Sequence, residues 1–228
     1  KDNCIAGNNE LFMKIDCSIS NVNSNNIIGY IEGKDTSKSI LVTAHFDHVG
    51  RVPGGPYIPG AADNASGTAT MMEIARIVKS KFGTPDQNIV FIGFNAEELL
   101  FVGSNHYVKD NPIFPLENSK VINLDSIGNI NDNPMWISHV ENENAILRNK
   151  MFHILDIGFK NYDVTKYVGR LSDAGSFAET GALATTLCHG GSIAHTPNDT
   201  TDRLNINRME SVVRTVTTYI YNEAYNTQ

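Results

Sequence analysis

Short apolar runs of strand length recur along this chain with stretches of helical periodicity between them, and that alternation admits few folds. Its natural outcome is an α/β domain on a largely parallel sheet, because a strand, a crossover helix and a second strand bring consecutive strands side by side. Strands are expected at residues 11–19, 27–32, 39–44, 88–94, 121–124, 135–139 and 182–189. Helices are expected at 65–82, 99–109, 145–157 and 207–224. In the first of these, Ala65, Ala69, Met72, Ala75, Val78 and Phe82 recur every three or four residues, with Met71, Ile74 and Ile77 widening the stripe, so the helix should lie flat on a sheet. No repeat, low-complexity tract or linker interrupts the pattern, which reads as a single domain over residues 1–228. The Gly/Pro-rich stretch at 52–60 is too dense in turn residues to continue a strand or helix, and reads as a loop at the rim of a site.

Composition removes several function classes. Eighteen Lys and Arg against 25 Asp and Glu leave a net charge of -7, without the basic surplus that nucleic-acid binding exploits. The longest apolar runs fall far below the roughly 20 residues needed to cross a bilayer. Cys4, Cys17 and Cys188 form no C-x-x-C pair and read as small buried hydrophobes, with Cys4 and Cys17 free to pair only in an oxidising compartment. The chain opens on Lys1, which fits removal of a leader and an expected secreted or extracytoplasmic monomer.

In open α/β sheets, ligands bind beyond the carboxyl ends of the strands, so the residues just after each apolar run matter most. After residues 40–44 stand His45 and Asp47; after 89–94, Glu97 and Glu98; after 121–124, Asp125; and beyond 182–187 a glycine loop leads to His195. The stretch 60–67 puts Asp63 at the N-cap of the 65–82 helix. All should converge on one edge. Three carboxylates and two imidazoles gathered there would perturb one another strongly unless a cation sat among them. Oxygen and nitrogen donors without thiolate suit zinc, or else manganese or cobalt, and five donors exceed one tetrahedral site. Two ions sharing one carboxylate fit: Asp63, Glu98 and Asp125 with a bridging hydroxide balance two divalent cations and leave both histidines neutral.

Adjacent Glu97 and Glu98 cannot face the same way, so one can ligate while the other moves protons. Asp47, two residues beyond His45, is expected on the same side of the strand end, orienting the imidazole so that one ring nitrogen is free for metal. Each residue alone has a bland alternative, such as a plain N-cap for Asp63 or a solvated helix start for the two glutamates. Their joint placement on one edge is the specific signal. His48, His106, His139, His153 and His189 lack such company and read as structural or solvated. No G-x-S-x-G elbow, P-loop or H-E-x-x-H helix is present to anchor a rival chemistry.

At these residues the sequence resembles the two-zinc exopeptidases related to the bacterial leucyl aminopeptidases, a family that includes the glutaminyl cyclases. The resemblance runs through residues 26–29, 43–50, 60–67, 94–98, 123–125 and 172–173 to 195–200. It implies a three-layer α/β/α sandwich on a mixed sheet. It also implies two zinc ions per chain, one on His45 and Asp125, the other on Glu98 and His195, with Asp63 bridging. Glu97 becomes the general base for a metal-bridging hydroxide that attacks the first peptide bond of a peptide substrate, and a non-proline cis peptide is implied after Asp63. An apolar N-terminal residue is expected, with Phe177, Ile193 and Tyr167, and also Tyr57 and Phe101, as candidate pocket walls.

The chain departs from its relatives at Ala174, where many carry a His or an aromatic after the Ser-Asp pair, and at Ala194, where some carry a Tyr; no side chain is therefore assigned to the oxyanion. A single-zinc glutaminyl cyclase is the first alternative, but those enzymes tend to place a Trp before the last histidine, and the one Trp here is Trp136. Related deacetylases and carboxypeptidases insert a dimerisation domain between later ligands, for which the 70 positions from Asp125 to His195 leave no room. A catalytically silent binding domain should have lost ligands, and none is missing.

Overall fold

The computed structural model describes residues 14, 16–18, 20–110, 112–130, 135–139, 145–158, 164–168, 172–191 and 193–225. Among the described residues, seven strands, β1 (Ile27–Ile31), β2 (Asp35–His45), β3 (Gln87–Phe94), β4 (Lys120–Asp125), β5 (Met135–His139), β6 (Val164–Val168) and β7 (Leu183–Cys188), alternate with four helices. The helices are α1 (Gly67–Lys81), α2 (Val102–Asp110), α3 (Ala145–Gly158) and α4 (Ile206–Ala224). One sheet contains every strand in the order β1-β3-β2-β4-β7-β5-β6. Its middle, β3-β2-β4-β7, is parallel; β1 runs antiparallel to β3 and β5 antiparallel to β7, so the sheet is mixed.

The middle strands are buried on both faces, which is why their sequences read as unbroken apolar runs. Along β2 the pleat sends Ile40, Val42 and Ala44 to one face and Leu41 to the other. The first set meets Met71, Ile74 and Val78 of α1, Leu147 and Met151 of α3, and Val212, Val216 and Ile220 of α4. Leu41, with Val90, Ile92, Phe94 and Val121, meets Tyr107 of α2 and Phe177 of a short 3-10 turn, Asp173–Phe177. Helices thus cover both faces, giving the three layers of an α/β/α sandwich. Burying each large aliphatic side chain contributes roughly 1.5–3 kcal/mol, so these two cores hold the sheet rigid beneath its carboxyl edge.

The expected elements fall near their observed bounds, with instructive exceptions. β6 escapes the sequence reading because Val164-Thr165-Lys166-Tyr167-Val168 is short and mixed in polarity, as befits a strand pairing only with β5 at the sheet edge. The strand expected at 11–19 falls largely outside the described residues, and residues 14 and 16–18 carry no strand. In α1 the buried face is Thr70, Met71, Ile74 and Val78, while Met72 is exposed, so of the expected central stripe Val78 is buried and the Met71–Ile74 flank turns to the sheet in place of Met72. α4 starts where Asn205 accepts the Arg208 N–H with its side chain. Cys4 is outside the described residues, Cys17 is exposed rather than buried, and Cys188 is half-buried, with its thiol pushed up to about 12 by burial.

Candidate metal centre

β2, β3, β4 and β7 end side by side at the same edge, so ligands from all four fall within roughly three strand spacings, or about 15 Å. His45 is the last residue of β2, Asp125 the last of β4, and Glu97 and Glu98 follow β3 after a two-residue turn. His195 comes from the loop beyond β7, and Asp63 from an irregular turn at 61–66 that precedes α1. The Asp63 carboxylate is the geometric centre. Its Oδ1 lies 3.3 Å from His45 Nε2, and its Oδ2 lies 3.1 Å from His195 Nε2. Asp125 Oδ1 is 3.7 Å from His45 Nε2, and both Glu98 oxygens stand 3.0–3.1 Å from His195 Nε2. Two donor sets result, His45–Glu97–Asp125 and His48–Asp63–Glu98–His195, each with its ligand atoms within 4.8 Å of one another.

Backbone clamps hold these side chains. Asp47 supports the site through two different atoms: its carbonyl oxygen lies 3.2 Å from His45 Nδ1, which turns Nε2 toward Asp63 and Asp125, and its carboxylate accepts the N–H groups of Glu97 and Glu98. The Asp47 carboxylate therefore supports the glutamate turn more directly than it supports His45, from which it stands at 3.6 Å. Asp199, wholly buried, accepts from Ala62 N at 2.6 Å and Asp63 N at 3.0 Å, tying the His195 loop to the Asp63 turn. Asn64 bonds the Leu124 carbonyl through Nδ2, while its Oδ1 accepts from Gly67 N and Ser126 N, joining the same turn to the end of β4. Gly67 is needed there, since a Cβ would collide with Asn64 Oδ1 and the Leu124 carbonyl.

Asp63 and Asn64 are joined by a cis peptide bond, and Asp63 is not the N-cap of α1; the helix begins four residues later, and Asn64 supplies the acceptor for its first N–H. Left-handed non-glycine residues gather at the same edge: Ala96 before the glutamates, Ser126 after Asp125, Ser172, and His195 itself, with φ of 53–59°. Such backbone persists where surrounding structure enforces it, and it clusters at functional sites.

The electrostatics call for positive charge. Burial opposes protonation of His45, but the Asp125, Asp47 and Asp63 carboxylates outweigh it and hold the imidazole far above its ordinary range. For Asp47, burial is more than offset by His45 and the two backbone N–H groups, and its carboxyl titrates below the usual value. Burial pushes Glu97 up to about 8, with His45 working against that and Asp125, Asp173 and Glu98 reinforcing it. Glu98 is raised as well, by burial and then by Asp63, against the pull of His195, His48 and His45.

Asp173 is wholly buried beside this cluster, and its carboxylate oxygens meet no hydrogen-bond partner of good geometry. Burial, relieved in part by Ser104 and His45 and reinforced by Asp125 and Asp47, pushes it to about 7. The folded chain then keeps a proton there that the unfolded chain loses near pH 4, so this group removes stability as pH rises from about 4 to about 7. Asp173→Asn should therefore stabilise the chelator-treated protein at pH 8 by up to about 4 kcal/mol, seen as a higher unfolding temperature, and leave it unchanged at pH 4. Thermal unfolding of both proteins at the two pH values is the check, and an equal shift at both would refute the assignment.

The structure gathers His45, Asp47, Asp63, Glu97, Glu98, Asp125 and His195 as the sequence suggested, and adds a residue to them. His48, expected to be structural or solvated, stands with Nδ1 3.0 Å from Glu98 Oε1. Nothing periodic marks a loop residue of this kind; only its position three residues past His45 hinted at it. The pocket-wall candidates fare differently. Phe177 is corrected to a core residue: it is fully buried against Phe94 and Tyr107 on the α2 face. Ile193 is 9% exposed in the turn before His195, and Tyr167 lies in β6 with its side chain outside the described residues. His189 is buried, accepts from Gly128 N at Nδ1, and is pushed down to about 3 by burial and Arg208, so it stays neutral.

The donor set fits divalent metal. Ligand atoms bound at roughly 2.0–2.1 Å around one tetrahedral ion sit about 3.3 Å apart, and the separations of 3.0–3.7 Å around Asp63 bracket that value. His45 Nε2 is buried and has no hydrogen-bond partner although two carboxylates flank it. Two sets of nitrogen and oxygen donors meeting over one carboxylate, on the carboxyl edge of an α/β/α sandwich, place the chain among the α/β metallopeptidases. The model of Peptidase family M28 matches residues 26–220, and the chain belongs to that family. Aminopeptidase YwaD of Bacillus subtilis is 32% identical over 217 residues, 90% of this chain and 46% of that protein. Among solved structures, BSAP, a zinc aminopeptidase from Bacillus subtilis, matches with a TM-score of 0.74 at 29% identity, covering 89% of this chain and 51% of that one. The Legionella pneumophila LapA aminopeptidase matches at 0.71 and 26%, covering 86% and 52%. The chain thus spans about half the length of these relatives. Among the described residues, no helix is long and apolar enough to cross a membrane.

Proposed function

We propose that this chain is the catalytic domain of a two-zinc aminopeptidase that releases an apolar N-terminal residue from peptides. The observation that carries this reading is the Asp63 carboxylate, which offers one oxygen toward His45 and the other toward His195 and so can be shared by two ions. His45 and Asp125 would hold one zinc, and Glu98 and His195 the other. When bound, the pair supplies Lewis acidity and lowers the pKa of a water molecule.

The remaining work falls to this chain's own groups. Glu97, a carboxylate beside the His45 and Asp125 donors and not needed to hold an ion, is placed to take the proton of the attacking water and return it to the nitrogen of the departing amine. Asp47 keeps Glu97 in place through its backbone N–H and keeps His45 turned toward the centre. The acidic surroundings of Glu98 and Asp63 favour a protonated substrate α-amine, which restricts cleavage to the chain end. Ile193, in the turn just before His195, supports a preference for an apolar first residue.

The test combines elemental analysis with hydrolysis of leucine amide before and after chelation, with N-acetyl-leucine amide as a control. Two zinc ions per chain, cleavage abolished by chelator and restored by zinc, and no cleavage of the blocked substrate are expected. One zinc with cyclisation of N-terminal glutamine would replace this reading with a glutaminyl cyclase. Absence of bound metal would make the chain a binding domain of the same fold.

A further inference from the structure

We infer that Asn26 is a positioning residue for Glu97, its side-chain amide pinning both ends of the loop that carries the proposed general base. This rests on the role given to Glu97 above. β1 runs antiparallel to β3 with Ile27 opposite Gly93, so Asn26, just before β1, stands at the edge where β3 delivers the two glutamates. Its Oδ1 accepts the Asn95 N–H at 3.1 Å, and its Nδ2 donates to the Gly103 carbonyl at 2.8 Å. One planar amide thus ties the residue where the chain leaves β3 to the first turn of α2, with Glu97 and Glu98 on the stretch between.

That stretch needs an external hold. Ala96, Leu100 and Phe101 have φ of 58°, 66° and 61°, three side-chain-bearing residues in the left-handed region, and such backbone persists only where its neighbours enforce it. Local bonds shape the turn: Ala96 N–H donates to the Asn95 side chain, and the N–H groups of Phe101 and Val102 donate to the Glu97 and Ala96 carbonyls. Its placement against the sheet comes from outside. From β2, the Asp47 carboxylate accepts the N–H groups of Glu97 and Glu98. From the segment before β1, Asn26 grips Asn95 and Gly103, and Ser24 accepts from the Asn95 side chain. Gly103 lets the two parts meet, since a Cβ there would fall 2.1 Å from the Asn95 carbonyl oxygen and 2.6 Å from Asn26 Oδ1.

The two glutamates depend on this hold unequally. In the two-zinc reading Glu98 is anchored by its ion as well, whereas a base that holds no ion is placed by its backbone alone. A general base must stand within hydrogen-bond reach of the proton it takes, and a misplacement of about 1 Å can cost on the order of 10²-fold in rate.

The test is a double-mutant cycle on leucine amide hydrolysis at saturating zinc, comparing wild type, Asn26→Ala, Glu97→Gln and the double variant. Amide hydrogen exchange over residues 95–103 is the readout independent of turnover. Asn26→Ala should lower kcat by about 10- to 100-fold with KM little changed, and should speed exchange in 95–103 while β4 and α1 keep their protection. In the Glu97→Gln background it should cost less than about threefold more, because a clamp that acts through Glu97 has nothing left to position. A full multiplicative loss in the double variant would make Asn26 merely structural and overturn the inference, as would unchanged exchange in 95–103. If Asn26→Ala does not fold, Asn26→Asp, which keeps an acceptor for the Asn95 N–H but loses the donor to Gly103, takes its place in the cycle. A wild type that leaves leucine amide intact, or a Glu97→Gln variant of near-normal kcat, would instead overturn the reading of Glu97 on which the inference rests.

Discussion

In the proposed two-zinc aminopeptidase, Glu97→Gln should keep both ions and lose about 10³- to 10⁴-fold in kcat on leucine amide, with KM little changed. The carboxylate is half-buried at an acid-rich edge, and an amide in the same place can neither take nor return a proton. Metal content has to be read alongside turnover, because a Glu97 oxygen also lies within 4.8 Å of the ligand atoms of His45 and Asp125. Loss of one ion in the variant would make Glu97 a ligand rather than the base. Retention of both ions with near-normal kcat would remove it from the mechanism altogether.

Asp63→Ala should be the more damaging substitution, since in the proposed two-zinc centre it would take one oxygen from each ion. The affinity of both should fall by 10³-fold or more, and activity should drop below detection. Zinc supplied at about 100 times its wild-type Kd stabilises a one-site protein by roughly 2.7 kcal/mol, so the wild type should show a clear rise in unfolding temperature with zinc and the variant almost none. The turn itself should survive, because Asp199 grips the backbone N–H groups of Ala62 and Asp63 rather than the lost carboxylate. If either ion binds Asp63→Ala at wild-type strength, the two donor sets do not share Asp63.

Much of this edge could be read before any coordinates, and the reason is geometric. In a parallel strand, burial on both faces forces a continuous apolar run, and chain direction fixes which end of that run meets the ligand edge. His45, Glu97, Glu98 and Asp125 all follow such runs, so their convergence follows from the pattern. Helix positions are legible from their own 3.6-residue period, although the face that α1 buries is rotated from the expected stripe: Met71 and Met72 lie about 100° apart around the helix, and sheet packing buries the first and exposes the second. β6 carries too little apolar contrast to stand out at the sheet edge.

Residues in loops carried no such signal. His48 and Asn64 sit in irregular segments with no period to place them, and Phe177 looks from sequence like a pocket wall but fills the space between Phe94 and Tyr107. The Asp199 clamp joins atoms 137 positions apart, a contact that exists only after the β2, β4 and β7 ends have been brought together. Strand periodicity and direction were thus enough to define an α/β sheet with acids and imidazoles at its carboxyl edge. Which of those side chains share an oxygen, which histidine joins them, and which backbone groups hold them were set by long-range packing, because a loop takes its path from the surfaces it crosses rather than from any repeat in its own residues.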